Sequence, residues 1–314
     1  MFLVTGGAGF IGSHLTRRLV HDGHRVRVLD NLSTGSTRNL DDIRDDVELI
    51  EGDLRDATLV HHATIGVETI FHQAAEPSVP HSIADPATTF AINVGGTLNV
   101  LTAARDRGCR RLVCASTCAI YGDTPELPLG ESLTPAPLSP YAMSKLTAEQ
   151  LCAMFTRLYG LDAVCLRYFN VCGPGQDPTS AYAAAIPTFV DAMLSHRRPC
   201  VFGDGEQSRD FVAVDDVVRA NLLASTVDGV GGQVYNIASG RSVTINQVLA
   251  TLRRATGMQL SPRYLPARHG DIRHSLADTS RARSQLGFDA MVGFGEAIDL
   301  ILEDIHAVPT AVAV

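Results

Sequence analysis

The sequence predicts an α/β protein built around a doubly wound parallel sheet. Three observations carry that prediction: short apolar runs alternate with longer amphipathic ones, a glycine-rich turn joins the first such pair, and an aspartate closes the second apolar run. The 314 residues suffice for one large domain or two modest ones, with ample apolar content for a buried core.

In order, "FLVT" reads as a strand, "IGSHLTRRLVHDG" as a helix and "RVRVLD" as the next strand. "VELIEGD" and "TIFHQAA" continue as strands, "GGTLNVLTAARDRG" as a helix and "RRLVCAS" as a strand. A helix over "YAMSKLTAEQLCAMFTRLYG" and a strand "DAVCLRYF" complete the regular part. Glycines 23, 108 and 160 each follow a helical segment and precede a strand, where a helix end favours them. The alternation loosens near residue 172. Residues 1–168 with about 209–239 are therefore expected to form a nucleotide-binding domain, and about 169–208 with 240–314 a smaller α/β domain over the substrate.

A formal net charge of -8 gives no reason to expect nucleic acid, whose binders cluster Lys and Arg against phosphates. Seven cysteines make an odd count with no C-x-x-C pair, so no disulfide framework and no metal site are expected, and a reducing cytoplasm suits them. No apolar run reaches the roughly 18 residues of a membrane span, and the opening "MFLVTGG" is a strand and turn rather than a leader.

In "VTGGAGFIGSHL", Gly6, Gly9 and Gly12 fall between a strand and a helix. Missing side chains there let the backbone turn, approach a pyrophosphate and seat the helix, whose N-terminus favours anions. Glycines serve ordinary turns too, but Asp30 at the end of the second strand can accept hydrogen bonds from ribose hydroxyls and would repel a 2′-phosphate, which selects NAD over NADP. Asp53 in "EGDLRD" is either an adenine contact or a strand-end turn residue. "YAMSK" places Tyr141 and Lys145 four apart on one helix face, and an ammonium beside a phenol should favour phenolate.

Taken together, "TGGAGFIGSHL", "DNLSTG", "GDLRD", "FHQAA", "STCAIYGD", "YAMSK", "RYFNVCGPGQ", "GDGEQSRDFVAVDDV", "YNIASG" and "ARHGDIRHSLAD" resemble the extended short-chain dehydrogenase/reductases, specifically the nucleotide-sugar epimerase and dehydratase group. The resemblance implies a Rossmann-type sheet with NAD surrounded by Gly6, Gly9, Phe10, Ile11, Gly12, Asp30, Asn31, Asp53, Leu54, Ala74, Asn93, Ser116, Tyr141, Lys145 and Tyr168. A helix N-cap is the alternative for Asn93. It also implies catalysis by Tyr141, Lys145 and Thr117, whose hydroxyl would meet the sugar 4-oxygen. Dehydratases of the group carry Asp-Glu at the next two positions. This chain has Cys118 and Ala119, which disfavours elimination and leaves C4 epimerisation. A dehydratase using Cys118 as acid, or a binding protein without chemistry, are the rival readings.

On the sugar side the same resemblance assigns Asn170, Tyr182, Ala183, Arg209, Arg268, Asp271 and Ser275 to a UDP-hexose, with the two arginines on its diphosphate. Asp177 stands where uronate epimerases hold an arginine, so UDP-glucuronate is not expected. Ser275 occupies a gatekeeper position that is small where a 2-N-acetyl group is admitted, which points to UDP-GlcNAc/UDP-GalNAc along with UDP-Glc/UDP-Gal. Helices around 86–107 and 140–159 resemble those that pair family homodimers, and Leu98, Leu101, Leu151 and Phe155 suit either that seam or the core.

Overall fold

The structure, a computed structural model, describes residues 1–176, 185–267 and 272–307. The chain begins with β1 (Phe2–Thr5), α1 (Phe10–His21), β2 (Val26–Asp30), β3 (Val47–Glu51), α2 (Ala57–Ala63) and β4 (Thr69–His72). Two short helices follow, α3 (Val79–Ala84) and α4 (Pro86–Phe90). The latter runs through a π-helical segment, Ala91–Gly96, into α5 (Thr97–Asp106). Next come β5 (Arg111–Thr117), α6 (Pro140–Tyr159) and β6 (Asp162–Tyr168). After an excursion, α8 (Val214–Thr226) and β10 (Val234–Ile237) return the chain to the same sheet.

That sheet has seven strands in the order β10-β6-β5-β4-β1-β2-β3, every pair parallel. The crossover between β1 and β4 reverses the winding, and ligands bind at such a switch point beyond the strands' carboxyl ends. Alternate residues explain the two layers. Val4, Phe71, Val113 and Val164 face one core against α1 and α8, while Leu3, Ile70, Leu112 and Ala163 face the other against α2, α5 and α6.

The excursion builds a second unit. β7 (Asn170–Cys172), β9 (Ser208–Ala213) and β11 (Ser242–Thr244) make a three-stranded sheet, and β8 (Cys200–Phe202) pairs β12 (Arg263–Leu265). Helices α7 (Ala185–Leu194), α9 (Ile245–Thr256) and α10 (Phe294–Ala307) close its core around Phe189, Val248, Leu252 and Ile298. The segment 209–239 assigned to the nucleotide domain is divided. β9 pairs with β7 and β11, whereas β10 joins the large sheet and α8 packs on it. Asp210, fully buried on β9, accepts backbone N–H groups from Ser239, Gly240 and Ala277 and so ties this unit to the end of β10.

The structure apportions the four residues left open by the sequence. Leu101 and Phe155 are buried in the core, Leu151 is partly buried against it, and Leu98 is 42% exposed. Ile83, Met143 and Leu158 are exposed on the neighbouring helices. No helix among the described residues is long and apolar enough to cross a membrane.

Candidate active site

The glycine turn is compulsory by sterics. Gly6 has φ of +68°, and a Cβ there would lie 2.7 Å from the Ala74 backbone. A Cβ on Gly12 would stand 2.0 Å from the Gly6 carbonyl oxygen. The turn is thus pressed against the end of β4, and α1 starts directly above it. Asp30 closes β2 with its carboxylate buried beside the turn. The Ala8 N–H donates to Oδ2 at 2.9 Å and the Leu32 N–H to Oδ1 at 2.8 Å. A carboxylate has about four acceptor positions, so two remain for ribose hydroxyls.

Asp53 lies two residues past β3 rather than on it. Asn31 Nδ2 donates to it at 3.1 Å, and the Arg55 side chain beside it holds its carboxyl well below the usual range. These residues border a cleft of about 320 Å³ along the strand ends from Asp53 to Tyr168. Every residue expected around NAD lines it except Asn93. Asn93 does not line the cleft, and it is not a helix N-cap, a role that Asp85 fills for α4. It is buried in the π segment with its amide fully engaged. Nδ2 donates to the Glu76 carbonyl at 3.0 Å and to Ser144 Oγ at 2.9 Å, while Oδ1 accepts from the Glu76 N–H at 2.8 Å. Sequence reasoning missed Gln73, Glu76 and Ile92, which also line the cleft. Gln73 directly follows β4 and Glu76 lies four residues past its end, and the rule that ligands meet strand ends is the signal that finds them.

At the far end, β5 delivers Ser116 and Thr117, and α6 delivers Tyr141 and Lys145. Helix α6 is well specified locally. Ser139 Oγ accepts from the Ala142 N–H at 3.1 Å, Pro140 fills the first turn, and Gly160 ends it in the left-handed conformation. Lys145 Nζ donates to the Ala115 carbonyl at 3.0 Å. Burial pushes Tyr141 up to about 12, opposed chiefly by a hydrogen bond with Thr117. Burial also lowers Lys145 from its ordinary value. Behind Ser116 lies a buried ion pair, in which Ser116 Oγ donates to Glu149 Oε1 at 2.5 Å and Arg167 binds the same carboxylate through both Nε and Nη2. Burial drives the Cys118 thiol up to about 12.

The small unit approaches this end of the cleft through β9. Arg209 is near enough to Cys118 to favour its thiolate, and its Nη1 donates to the Ser208 carbonyl at 2.9 Å. Ser275 is buried next to that strand end, its N–H donating to Ser208 O at 3.1 Å. Asn170 starts β7, in register with Phe211 on β9. Asp177, Tyr182, Ala183, Arg268 and Asp271 lie outside the described residues.

A glycine turn with no room for side chains, a carboxylate with acceptor positions to spare and a cleft ending at a tyrosine and a lysine define a dinucleotide-dependent enzyme of the Rossmann class. Residues 2–238 match the family model described as the NAD dependent epimerase/dehydratase family. The chain is 40% identical over 305 residues to the UDP-glucose 4-epimerase of Mycolicibacterium smegmatis, covering 96% of this chain and 97% of that one. Among solved structures it is similar to UDP-glucose 4-epimerase of Thermotoga maritima with UDP-glucose, at a TM-score of 0.93 and 39% identity over 97% of this chain and 98% of the other. It is also similar to UDP-N-acetylglucosamine 4-epimerase of Methanobrevibacter ruminantium in complex with UDP-N-acetylmuramic acid, at 0.93 and 38% over 97% of each chain. The chain belongs to the NAD-dependent epimerase/dehydratase family, and it is an enzyme of the epimerase side of that family with NAD as its cofactor.

Proposed function

We propose that the enzyme epimerises UDP-hexoses at C4, interconverting UDP-GlcNAc with UDP-GalNAc and also UDP-Glc with UDP-Gal. The observation that carries this reading is the loop after β5. Thr117 and Tyr141 share a hydrogen bond at the mouth of the NAD cleft, and the next two positions, Cys118 and Ala119, offer no carboxylate. With its thiol pushed up to about 12 by burial, Cys118 is a poorer proton donor than a carboxylic acid, which disfavours the dehydratase reading.

When bound, NAD supplies a reversible hydride acceptor and a positive charge beside Tyr141. Tyr141 takes the proton of the sugar 4-hydroxyl, directly or through Thr117, and returns it when the opposite face is reduced. Lys145 positions the nicotinamide ribose, and Ser116, fixed by Glu149, borders the ring. Arg209, with Arg268, holds the diphosphate while the sugar turns over. Asn170, Tyr182, Ala183 and Asp271 complete the pocket, and buried Ser275 leaves room for an acetamido group.

The exposed apolar residues Ile83, Leu98, Met143 and Leu158, on α3, α5 and α6, are read as part of a homodimer seam. Seven free thiols suit a cytoplasmic protein. Proton NMR of the purified protein with UDP-GlcNAc, UDP-Glc and UDP-GlcA in separate tubes tests the reading. New anomeric signals of the C4 epimer with the first two sugars are expected. Activity on UDP-Glc alone removes the Ser275 argument, a 4-keto-6-deoxy product removes epimerisation, and silence after NAD is added removes both.

A further inference from the structure

Three cysteines that the reaction does not use meet in the core behind the active site. Cys114 on β5 and Cys165 on β6 are register partners, and Cys152 on α6 comes down over them. Their sulfurs all lie within 4.8 Å of one another, and each residue is 1% exposed. The other four cysteines stand apart from this group. Lys145, two turns before Cys152 on α6, donates to the carbonyl of Ala115, the residue after Cys114.

We infer that Cys114, Cys152 and Cys165 form a three-thiol site for trivalent arsenic. Donor number and charge select this ligand class. Three soft sulfurs suit a thiophilic ion, and among the described residues no fourth ligand joins them, as structural zinc would require. A divalent metal held by three thiolates would leave a net negative charge in an apolar core, where unpaired charge is expensive. Arsenous acid avoids that cost. Three As–S bonds form and three As–O bonds break. The three hydroxyls leave as water, taking up the protons of Cys152 and Cys165 and, because the hydrogen bonds from those two hold Cys114 down so that it enters as thiolate, one proton from solvent; arsenic stays trivalent. The hydrogen bonds to Cys114, aided by burial, push Cys152 and Cys165 up, so these two enter the exchange as thiols. Entry requires α6 to lift locally from β5 and β6, so loading is slow. Once formed, the cross-link joins β5, β6 and α6 directly beneath Lys145, and turnover is lost with it. That loss rests on the proposed role of Lys145, whereas the adduct does not.

The folded holoenzyme is incubated with sodium arsenite, desalted, and read by intact mass and by thiol titration in denaturant, with circular dichroism before and after. One arsenic per chain and loss of three of the seven thiols are expected, with the dichroism unchanged. Cys165→Ala should lose the three-thiol adduct, and Cys200→Ser, altering an exposed thiol, should keep it. If Cys165→Ala does not fold, Cys152→Ala takes its place. No arsenic after prolonged incubation, an adduct closing only two thiols, an adduct gained with loss of the fold, or persistence in Cys165→Ala would each overturn the site. An adduct without loss of turnover would leave the site standing and remove the role given to Lys145.

Discussion

Tyr141 shows how much one residue's environment decides. Its spacing from Lys145 was legible because i and i+4 share a helix face, but its proton affinity was not, because burial is a property of the folded cleft. Thr117→Val removes a hydrogen bond that lowers the tyrosine's affinity for its proton, so the acid limb of the pH–rate profile should move to higher pH. A limb that stays in place would remove Thr117 from the relay. Tyr141→Phe should lower turnover by a factor on the order of 10² to 10⁴ with little change in melting temperature. Gly12→Ala forces a Cβ to within 2.0 Å of the Gly6 carbonyl. The purified variant should carry far less NAD, measured by absorbance after acid release. The cysteine trio was invisible in the sequence for the opposite reason to the glycines, since residues 114, 152 and 165 obey no local spacing.

Helix α6 gathers most of the site onto one face. Tyr141, Lys145 and Glu149 follow at intervals of four, so one rigid element sets the tyrosine, the lysine and the carboxylate that grips Ser116. Its start and stop were readable from Pro140 and Gly160. The preceding helix was less transparent. Taking Asn93 for an N-cap placed the helix start too late, because Asp85 and Pro86 begin the helix earlier and Asn93 lies buried inside the π segment. Removing Glu149 tests the element. Glu149→Ala would leave Arg167 buried without its partner, a loss of about 3 to 5 kcal/mol, read as a lower urea midpoint. An unchanged midpoint would mean that water reaches Arg167.

For the whole molecule, buried acids of high pKa set the alkaline limit. Burial lifts Tyr121 and Tyr141 from 10.0 to about 12, Cys109 from 9.0 to about 11, and Cys172 from 9.0 to about 12. The unfolded chain therefore gives up these protons first. Stability is complete below about pH 9 and falls as pH rises toward 12, with Tyr121 alone accounting for roughly 2 to 3 kcal/mol. Urea midpoints at pH 8.5 and 11.5 check the direction, and Tyr121→Phe should flatten the decline. The large sheet was legible nearly strand by strand because its inner strands are buried on both faces and read as apolar runs. The smaller unit was not, since its strands are three to six residues long and pair across the chain. One of its consequences concerns order in time. The ribosome finishes β6 at Tyr168 but does not supply its outer neighbour until Val234. Throughout that interval the nascent sheet presents an open edge, an invitation to the wrong strand that only the return of the chain withdraws. Messages cut short before codon 234 should therefore yield aggregates rather than a free-standing nucleotide domain.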